Sequence, residues 1–344
     1  MKILVAILMF TFIVFFHELG HFLVAKRCNV RVNEFMIGMG PKIVGVQRGE
    51  TLYSIRALPL GGACVMEGED EDSEDERAFN KKPVWQRLLI VFAGPGFNFI
   101  LAYILSVILL SNVGYLEPYI GEVIEGSAAE EAGLKAGDKI VELNGYNLHF
   151  YQEVSMYNYF HNGEETEVKF IRDGEKHTVT LTPRFSEETG TYLMGIRTDG
   201  LVTDGDAIDL IKYGFYEIKY QIYITFQSLK YLFTGRAGLN DLAGPVGIVK
   251  VIGDTYEEAA ESGVYYIVMN MLSFTIMLSA NLGVMNLIPF PALDGGRIFI
   301  FLIEIVRRKK LPPELEGKIN LAGFAILMGF MMVVMFNDIY KLFA

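Results

Sequence analysis

The chain has 344 residues, of which 51% are hydrophobic, and its formal net charge is −11 at pH 7. Its mean hydropathy of +0.31 is high for a soluble protein. Residues 112–264 hold 25 acidic against 12 basic side chains, which excludes a nucleic-acid-binding function because such proteins present basic surfaces to phosphates. Two cysteines, Cys28 and Cys64, are too few and too unpatterned for a disulfide framework.

Four apolar stretches come near the roughly 20 residues that a membrane-spanning helix needs. They are residues 4–25, 88–110, about 264–288 and about 319–342. The first lacks a small-residue cleavage site after its apolar core, so we interpret it as a retained helix rather than a signal peptide. The sequence therefore predicts a polytopic α-helical membrane protein with about four transmembrane helices.

Lysines and arginines beside the spans predict the orientation of the chain in the lipid bilayer. They cluster after the first span, before the second, and between the third and fourth, at Lys26, Arg27, Arg31, Lys81, Lys82, Arg87, Arg307, Arg308, Lys309, Lys310 and Lys318. Both connecting regions are therefore expected on the cytoplasmic face of the membrane. Both termini and the acidic segment 112–264 are then extracytoplasmic.

The first span contains the motif HELGH, residues 17–21. On a helix, His17 and His21 stand four positions apart on one face, as two ligands of one metal ion require. Glu18 is placed to act as the general base toward water activated by that metal. Ionisable groups are costly within a membrane, so a helix that retains three of them indicates a functional site.

A second motif, NLIPFPALDGGR at residues 286–297, ends the third span. Pro289 and Pro291 break the helix there, and irregular backbone at membrane depth is tolerated where it is buried in protein or lines a cavity. Asp294 is the candidate third metal ligand, although it could simply be the cap after a span. Because the first and third spans run in the same direction, His21 and Asp294 are expected at similar depths near the cytoplasmic face.

Residues between the motifs predict smaller structures. Residues 52–66 alternate apolar and polar around Leu-Pro-Leu-Gly-Gly, which is typical of a hairpin, and the acidic run 67–76 is expected to be a solvated loop. Ser127 is a plausible helix N-cap and Gly133 a plausible helix stop. Strands around Asp173-Gly174 predict a second hairpin in a compact α+β module.

The stretch 208–233 is apolar enough to suggest a fifth span. Its lysines, its glutamate and its many tyrosines favour an interfacial or packed amphipathic helix, and whether it inserts into the membrane stays open. The expected organisation is an N-terminal membrane half, a globular module, a linker with this helix, and a C-terminal membrane half. The corresponding ranges are residues 1–112, 113–185, 186–263 and 264–344.

Two asparagines lie beside the candidate site in the sequence. Asn286 could touch the substrate backbone or an oxyanion, and it could equally hydrogen-bond between helices. Asn98, in the second span, has the same two possibilities, with helix packing favoured. Gly94 and Gly96, close to Asn98, are expected to allow two helices to approach closely.

The two motifs in this order, with GEVIEGSAAEEAGLKAGDKIVELNG between the second and third spans, resemble the site-2 protease family, and within it the bacterial RseP type. The resemblance covers nearly the whole chain. It implies Zn²⁺ held by His17, His21 and Asp294, with Glu18 as base, and it implies that residues 113–185 form a PDZ domain. It also implies that 52–66 is a membrane-associated β-hairpin that engages substrate strands, with tentative contacts from Leu58, Leu60, Gly61 and Gly62.

The expected function is therefore an intramembrane zinc metalloprotease that hydrolyses peptide bonds within the transmembrane segments of single-span proteins. The resemblance implies pre-trimmed anti-sigma factors and remnant signal peptides as substrates, and a substrate C-terminus is a possible ligand of the PDZ domain. One alternative is a zinc-binding PDZ scaffold without proteolytic activity. Another is a surface metalloprotease on a membrane anchor, which the apolar surroundings of HELGH disfavour.

Overall fold

The computed structural model describes residues 2–69, 72–238 and 241–343, without the side chains of Leu60, Pro313, Glu314, Leu342 and Phe343. The chain divides into two compact units, one of Met1–Leu105 with Gly235–Ala344 and the other of Ser106–Thr234.

Nine α-helices and ten strands occur in the described ranges. The helices are α1 (Lys2–Arg27), α2 (Val84–Val113), α3 (Ala128–Glu131), α4 (Tyr151–His161), α5 (Ala207–Phe233), α6 (Pro245–Ser262), α7 (Val264–Asn286), α8 (Asp294–Arg307) and α9 (Pro313–Phe343). The strands are β1 (Val32–Arg48), β2 (Thr51–Met66), β3 (Glu122–Val123), β4 (Lys139–Leu143), β5 (Tyr146–Asn147), β6 (Thr166–Arg172), β7 (Glu175–Leu181), β8 (Arg184–Ser186), β9 (Thr191–Leu193) and β10 (Ile196–Arg197).

Four helices of the described chain are long and apolar enough to cross a membrane. They are α1, α2, α7 and residues Leu315–Lys341 of α9, and they coincide with the four stretches predicted from the sequence. The helix α5 is not among them. Apolar side chains cover most of their surface because helices in lipid bury only the faces that meet other helices.

Helices α1, α6 and α7 pack together in the first unit, with Ile13, Ile252 and Leu278 in their shared core. The N-terminus of α6 is held by Asp338, a buried residue of α9 whose two carboxylate oxygens accept hydrogen bonds from the amides of Gly244 (3.1 Å) and Gly247 (2.8 Å). A carboxylate there satisfies helix amides that have no partner within the helix.

The strands β1 and β2 form an antiparallel hairpin whose turn follows Arg48, which pairs with Thr51. The sequence prediction of a hairpin within 52–66 is wrong in its bounds, since that segment is one strand and its partner β1 was not predicted. Residues 34–37 pair on one side with 62–65 and on the other with 52–55. Residues 62–66 are therefore the edge of this small sheet.

The second unit has an antiparallel sheet of order β5-β4-β6-β7, and α3 and α4 pack on it. Its core includes Ile140, Leu143, Val168 and Phe170. The hydroxyl oxygen of Ser127 accepts the amide of Glu130 as the predicted N-cap of α3. The predicted turn joins β6 to β7, where Asp173 (φ 52°) and Gly174 (φ 83°) adopt the left-handed backbone that such hairpins require.

The globular module extends past residue 185, the boundary expected from the sequence. The strand β10 pairs with β3, and Met194 is 1% exposed within the module's core. The helix α5 then packs on the same module, because Tyr213 stacks on Tyr115 with ring centroids 3.7 Å apart. The sequence predicted an interfacial or packed amphipathic helix at 208–233, and the stacked tyrosines show a packing contact of that helix.

Candidate metal centre

Three ligand atoms from two helices converge in the first unit. The Nε2 atoms of His17 and His21, one turn apart on α1, are 3.2 Å from each other. Oδ2 of Asp294, the first residue of α8, lies 3.2 Å from His17 Nε2 and 3.5 Å from His21 Nε2. The structure thus brings together the three residues that the sequence predicted as ligands.

These separations fit a zinc ion. Ligands of a tetrahedral zinc at 2.0–2.1 Å are about 3.3 Å apart, close to the three distances observed. Asp294 Oδ2 is buried and has no hydrogen-bond partner, as expected of an oxygen that completes its coordination with a metal. Two imidazoles and one carboxylate are also a common zinc donor set that leaves a fourth position open for chemistry.

The helix α2 packs against the imidazoles of His17 and His21. Nδ1 of His21 lies 2.9 Å from the carbonyl oxygen of Ile90, so an N–H at Nδ1 donates to that carbonyl and Nε2 is left to face the metal. Gly94, one turn further along, has no room for a side chain. A Cβ there would lie 2.3 Å from His21 Nε2 and 2.9 Å from His17 Cε1.

Asn98 lies a further turn along α2 and is fully buried. Its amide nitrogen is 3.1 Å from Nδ1 of His17, and its Oδ1 has no partner. The two ends of an amide are interchangeable in such assignments. If the Asn98 amide is rotated by half a turn, its oxygen accepts a hydrogen bond from the Nδ1–H of His17. Nε2 of His17 is then free to bind a metal ion. This position suits a group that orients His17 better than one that touches substrate.

A cavity of about 340 Å³ opens at the metal ligands. Glu18, the candidate base, and Asn286, a candidate substrate contact, both line it. Gly62 of β2 packs against the base, since a Cβ at that position would lie 3.2 Å from Glu18 Cγ. The edge strand therefore passes directly beside Glu18.

Other residues predicted to touch substrate lie elsewhere. Leu58 is 57% exposed on the hairpin, and Gly61 lies beside the Met39 side chain. Neither lines the cavity. The side chain of Leu60 is outside the described part of the chain.

Sequence reasoning missed several residues of the cavity wall. These are the edge-strand residues Ala63, Cys64, Val65 and Met66, with Val91, Glu69, Ala292 and Arg297. Glu69 and Arg297 form an ion pair, so the acidic run 67–76 is not merely a solvated loop as predicted. The available signal was Arg297, which follows Asp294 by one helical turn and therefore faces the same side.

The break predicted before Asp294 is present between α7 and α8. Ala292 adopts φ +76°, a left-handed backbone that costs energy for a residue other than glycine. Its amide lies 3.4 Å from Asn320 Oδ1 on α9. This loop turns the chain so that α8 begins with its ligand at the metal site.

Known proteins are similar in sequence to this chain along nearly their whole length. A model of peptidase family M50 matches residues 5–330. The chain is 42% identical to a predicted zinc metalloprotease of Clostridium acetobutylicum, covering 98% of this chain and 97% of that protein. It is 31% identical to the regulator of sigma-W protease RasP of Bacillus subtilis, covering 98% of each.

Among solved structures, the PDZ domain of an SdrC-like protein from Listeria monocytogenes covers 25% of this chain and 92% of that chain, at 23% identity. Its TM-score of 0.23 is too low to assign a fold. The family model and the full-length relatives agree with the metal-ligand geometry and the four apolar helices. The chain therefore belongs to peptidase family M50, the site-2 protease family of membrane zinc metalloproteases.

Proposed function

We propose that this protein cleaves peptide bonds within the transmembrane segments of single-span membrane proteins. The observation that carries the proposal is the position of the metal cluster. His17 and His21 lie on a helix long and apolar enough to span a membrane, and their cavity is bordered by an exposed strand edge. A cleavage site at that depth is reached most directly by a substrate that is itself in the membrane.

His17, His21 and Asp294 would hold the zinc ion. When bound, zinc supplies Lewis-acid polarisation and makes water acidic enough to act as a nucleophile near neutral pH. Glu18 takes the proton of the attacking water and passes it to the leaving amine. Asn286, on the cavity wall, is placed to donate its amide N–H to the substrate carbonyl.

Strand addition explains how a helical substrate becomes cleavable. A helix hides its carbonyls in internal hydrogen bonds, so the substrate has to be extended before attack. Residues 62–66 are the edge of the β1–β2 sheet, and four of them line the cavity beside Glu18. An extended substrate that pairs with this edge would present its backbone to the base and the metal.

The globular module is proposed to be a PDZ domain that acts outside the cytoplasm. A cavity of about 820 Å³ lies between α4 and β10, where a PDZ domain takes the C-terminus of a peptide. The Tyr151 hydroxyl donates to the Ile196 carbonyl of β10 over 3.2 Å, so a peptide strand would displace it. The distribution of Lys and Arg supports this orientation, with both termini outside and the metal near the cytoplasmic face.

The proposed substrates are pre-trimmed anti-sigma factors and remnant signal peptides. The name of the Bacillus subtilis relative, a regulator of sigma-W protease, supports the first class. Both classes leave a single apolar segment in the membrane after an earlier cut. A short outer stub would also suit a module that screens substrates by the size of their outer part.

The test is co-expression with a single-span model substrate that is already trimmed on its outer side. Wild type is compared with Glu18→Gln, and Glu76→Gln, at an exposed glutamate of the loop after the hairpin, serves as a control carboxylate. We expect wild type and the control to cleave within the span, with Glu18→Gln inactive at unchanged zinc content. Equal cleavage by Glu18→Gln would contradict the proposed base. Zinc binding without cleavage of any trimmed substrate would favour a PDZ scaffold instead.

A further inference from the structure

The helix α8 buries one face and leaves an apolar face outward. Ile300 and Glu304 are buried, whereas Phe299 is 51% exposed and Val306 82% exposed. Four basic residues follow at its C-terminal end, Arg307, Arg308, Lys309 and Lys310. An apolar outer face that ends in a basic cluster is typical of helices that lie at a membrane surface.

An apolar slot lies between α8, α9 and the loop that precedes Asp294. Its volume is about 340 Å³, and its walls include Pro289, Pro291, Phe299, Ile303 and Ile319. Two exposed cations, Arg307 and Lys309, stand at its rim. Within the part of the chain that the structure describes, neither cation forms an ion pair with a carboxylate.

Among the described residues that line the slot, the one acidic group does not offset these cations. Glu304 also lines the slot, but its Oε2 accepts a 2.6 Å hydrogen bond from Arg87 in a pair that is buried on both sides. The rim therefore presents a net positive charge above an apolar interior. A ligand that fits has an acidic head and an apolar tail.

The size of the slot suits a small apolar ligand. Its volume of about 340 Å³ lies near the lower end of the range for small-molecule sites, which suits part of a single acyl chain.

We propose that this slot binds an anionic phospholipid, with one acyl chain between α8 and α9 and the phosphate headgroup on Arg307 and Lys309. Basic residues beside apolar pockets between membrane helices recognise such headgroups. Pro289, Pro291 and Gly296 also belong to the slot wall. A bound chain therefore contacts the segments on both sides of Asp294.

The experiment is native mass spectrometry of the full-length protein in detergent, titrated with dioleoyl phosphatidylglycerol or dioleoyl phosphatidylcholine. We expect wild type to bind the anionic lipid about tenfold more tightly than the zwitterionic one. Arg307→Ala/Lys309→Ala should abolish that preference. Arg308→Ala/Lys318→Ala removes the same charge from exposed residues that do not line the slot, and it should retain the preference.

A second variant tests the apolar part without changing any charge. Ile303→Trp places a larger side chain in the slot and should weaken the binding of the anionic lipid at least fivefold, with the protein still monodisperse. An undiminished preference in Arg307→Ala/Lys309→Ala, or an equal loss in the control pair, would overturn the headgroup site. Displacement of the bound lipid by a single-span substrate peptide would overturn the proposal by assigning the slot to substrate.

Discussion

Each of the two units holds a carboxylate with a buried oxygen, and the hydrogen bonding of these two carboxylates differs. Glu153 in the globular module is 1% exposed and accepts hydrogen bonds from the Tyr146 hydroxyl (2.7 Å) and the amides of His149 (2.5 Å) and Phe150 (2.9 Å). Asp294 in the membrane unit faces two imidazoles, and its Oδ2 has no hydrogen-bond partner.

The difference separates a structural carboxylate from a functional one. A buried charge whose hydrogen bonds are complete ties together the segments that supply its donors. A buried carboxylate oxygen that lacks a hydrogen-bond partner costs folding free energy unless a bound ligand, such as a metal ion, interacts with it. Asp338 and Glu304 in the membrane unit resemble Glu153 in this respect, because backbone amides or Arg87 satisfy them. Asp294 differs from both in this respect.

The largest expected effect follows removal of the Asp294 carboxylate. Asp294→Ala should lower zinc affinity by more than about 100-fold, beyond the range for losing a group that only supports a ligand, and should abolish proteolysis. Zinc content by atomic absorption checks it. Glu304→Gln on the same helix is the control and should retain its zinc. An equal loss of zinc in both variants would contradict the distinction between Asp294 and the carboxylates whose hydrogen bonds are complete.

Removal of the satisfied carboxylate should damage structure and leave the metal in place. Glu153→Ala leaves one buried and two half-buried donors without an acceptor and should cost the module about 3 kcal/mol of stability. Hydrogen exchange of the β4 and β6 amides in the full-length protein measures this loss. Glu167→Ala, at an exposed glutamate of the same sheet, should change exchange little. A loss of zinc in Glu153→Ala would contradict the assignment.

The close packing of α2 against the imidazoles can be tested by alanine substitution at two glycines of that helix, Gly94 and Gly96. Gly94→Ala puts a Cβ within 2.3 Å of His21 Nε2 and should lower zinc affinity and activity about 10- to 100-fold. Gly96→Ala meets only the Phe92 ring, at 3.5 Å, and should be neutral. Activity and zinc content of the purified variants check both expectations. Similar effects at the two positions would show that α2 constrains the site only through general packing.

Substitution of Asn98 should have a smaller effect on zinc affinity, and a conservative substitution should restore most of that affinity. Asn98→Leu removes the acceptor for His17 Nδ1–H and should weaken zinc binding about tenfold. Asn98→Asp retains an oxygen at that position and should recover most of the loss. Competition with a chromogenic chelator measures both affinities. Failure of the aspartate to recover binding would contradict the proposed rotation of the amide.

The smallest effect is a pH dependence of the globular module. Burial, with the charges of Lys219 and Lys212, lowers the pKa of His149 to about 4. Its stabilising contribution should therefore be complete above the ordinary histidine pKa near 6.5 and be lost as the pH falls from there toward 4. Hydrogen exchange of α5 between pH 7 and 5 measures it. His149→Phe should flatten this dependence, and an unchanged slope would exclude His149 as its source.

Local patterns were enough to predict the spans and the metal ligands. Apolar length determines a membrane helix almost alone, and two histidines four positions apart share a face of any helix. Asp294 could be added because the positions of Lys and Arg gave the two motif-bearing helices the same direction. The first two inferences use information carried within about 20 residues, whereas the third uses charges along the whole chain.

Longer-range pairings could not be predicted in the same way. The strand β1 contains Gly38, Gly40 and Pro41, which disfavour a strand, and it is a strand because residues 34–37 find partners on both sides within β2. The strand β10 has two residues and exists by pairing with β3, over 70 positions earlier. The Glu69–Arg297 pair joins residues that the sequence separates by most of the chain. None of these contacts produces a periodic pattern of residues that could be detected in the local sequence.

The contacts of α2 with the two imidazoles restrict insertions and deletions in that helix. Ile90, Gly94 and Asn98 follow one another at intervals of four, so one stripe of this helix meets both imidazoles. Deleting or inserting a single residue between Ile90 and Asn98 would turn the second position by about 100° relative to the first. Homologous chains are therefore free to vary the other faces of this helix, whereas the spacing along this stripe has to remain constant.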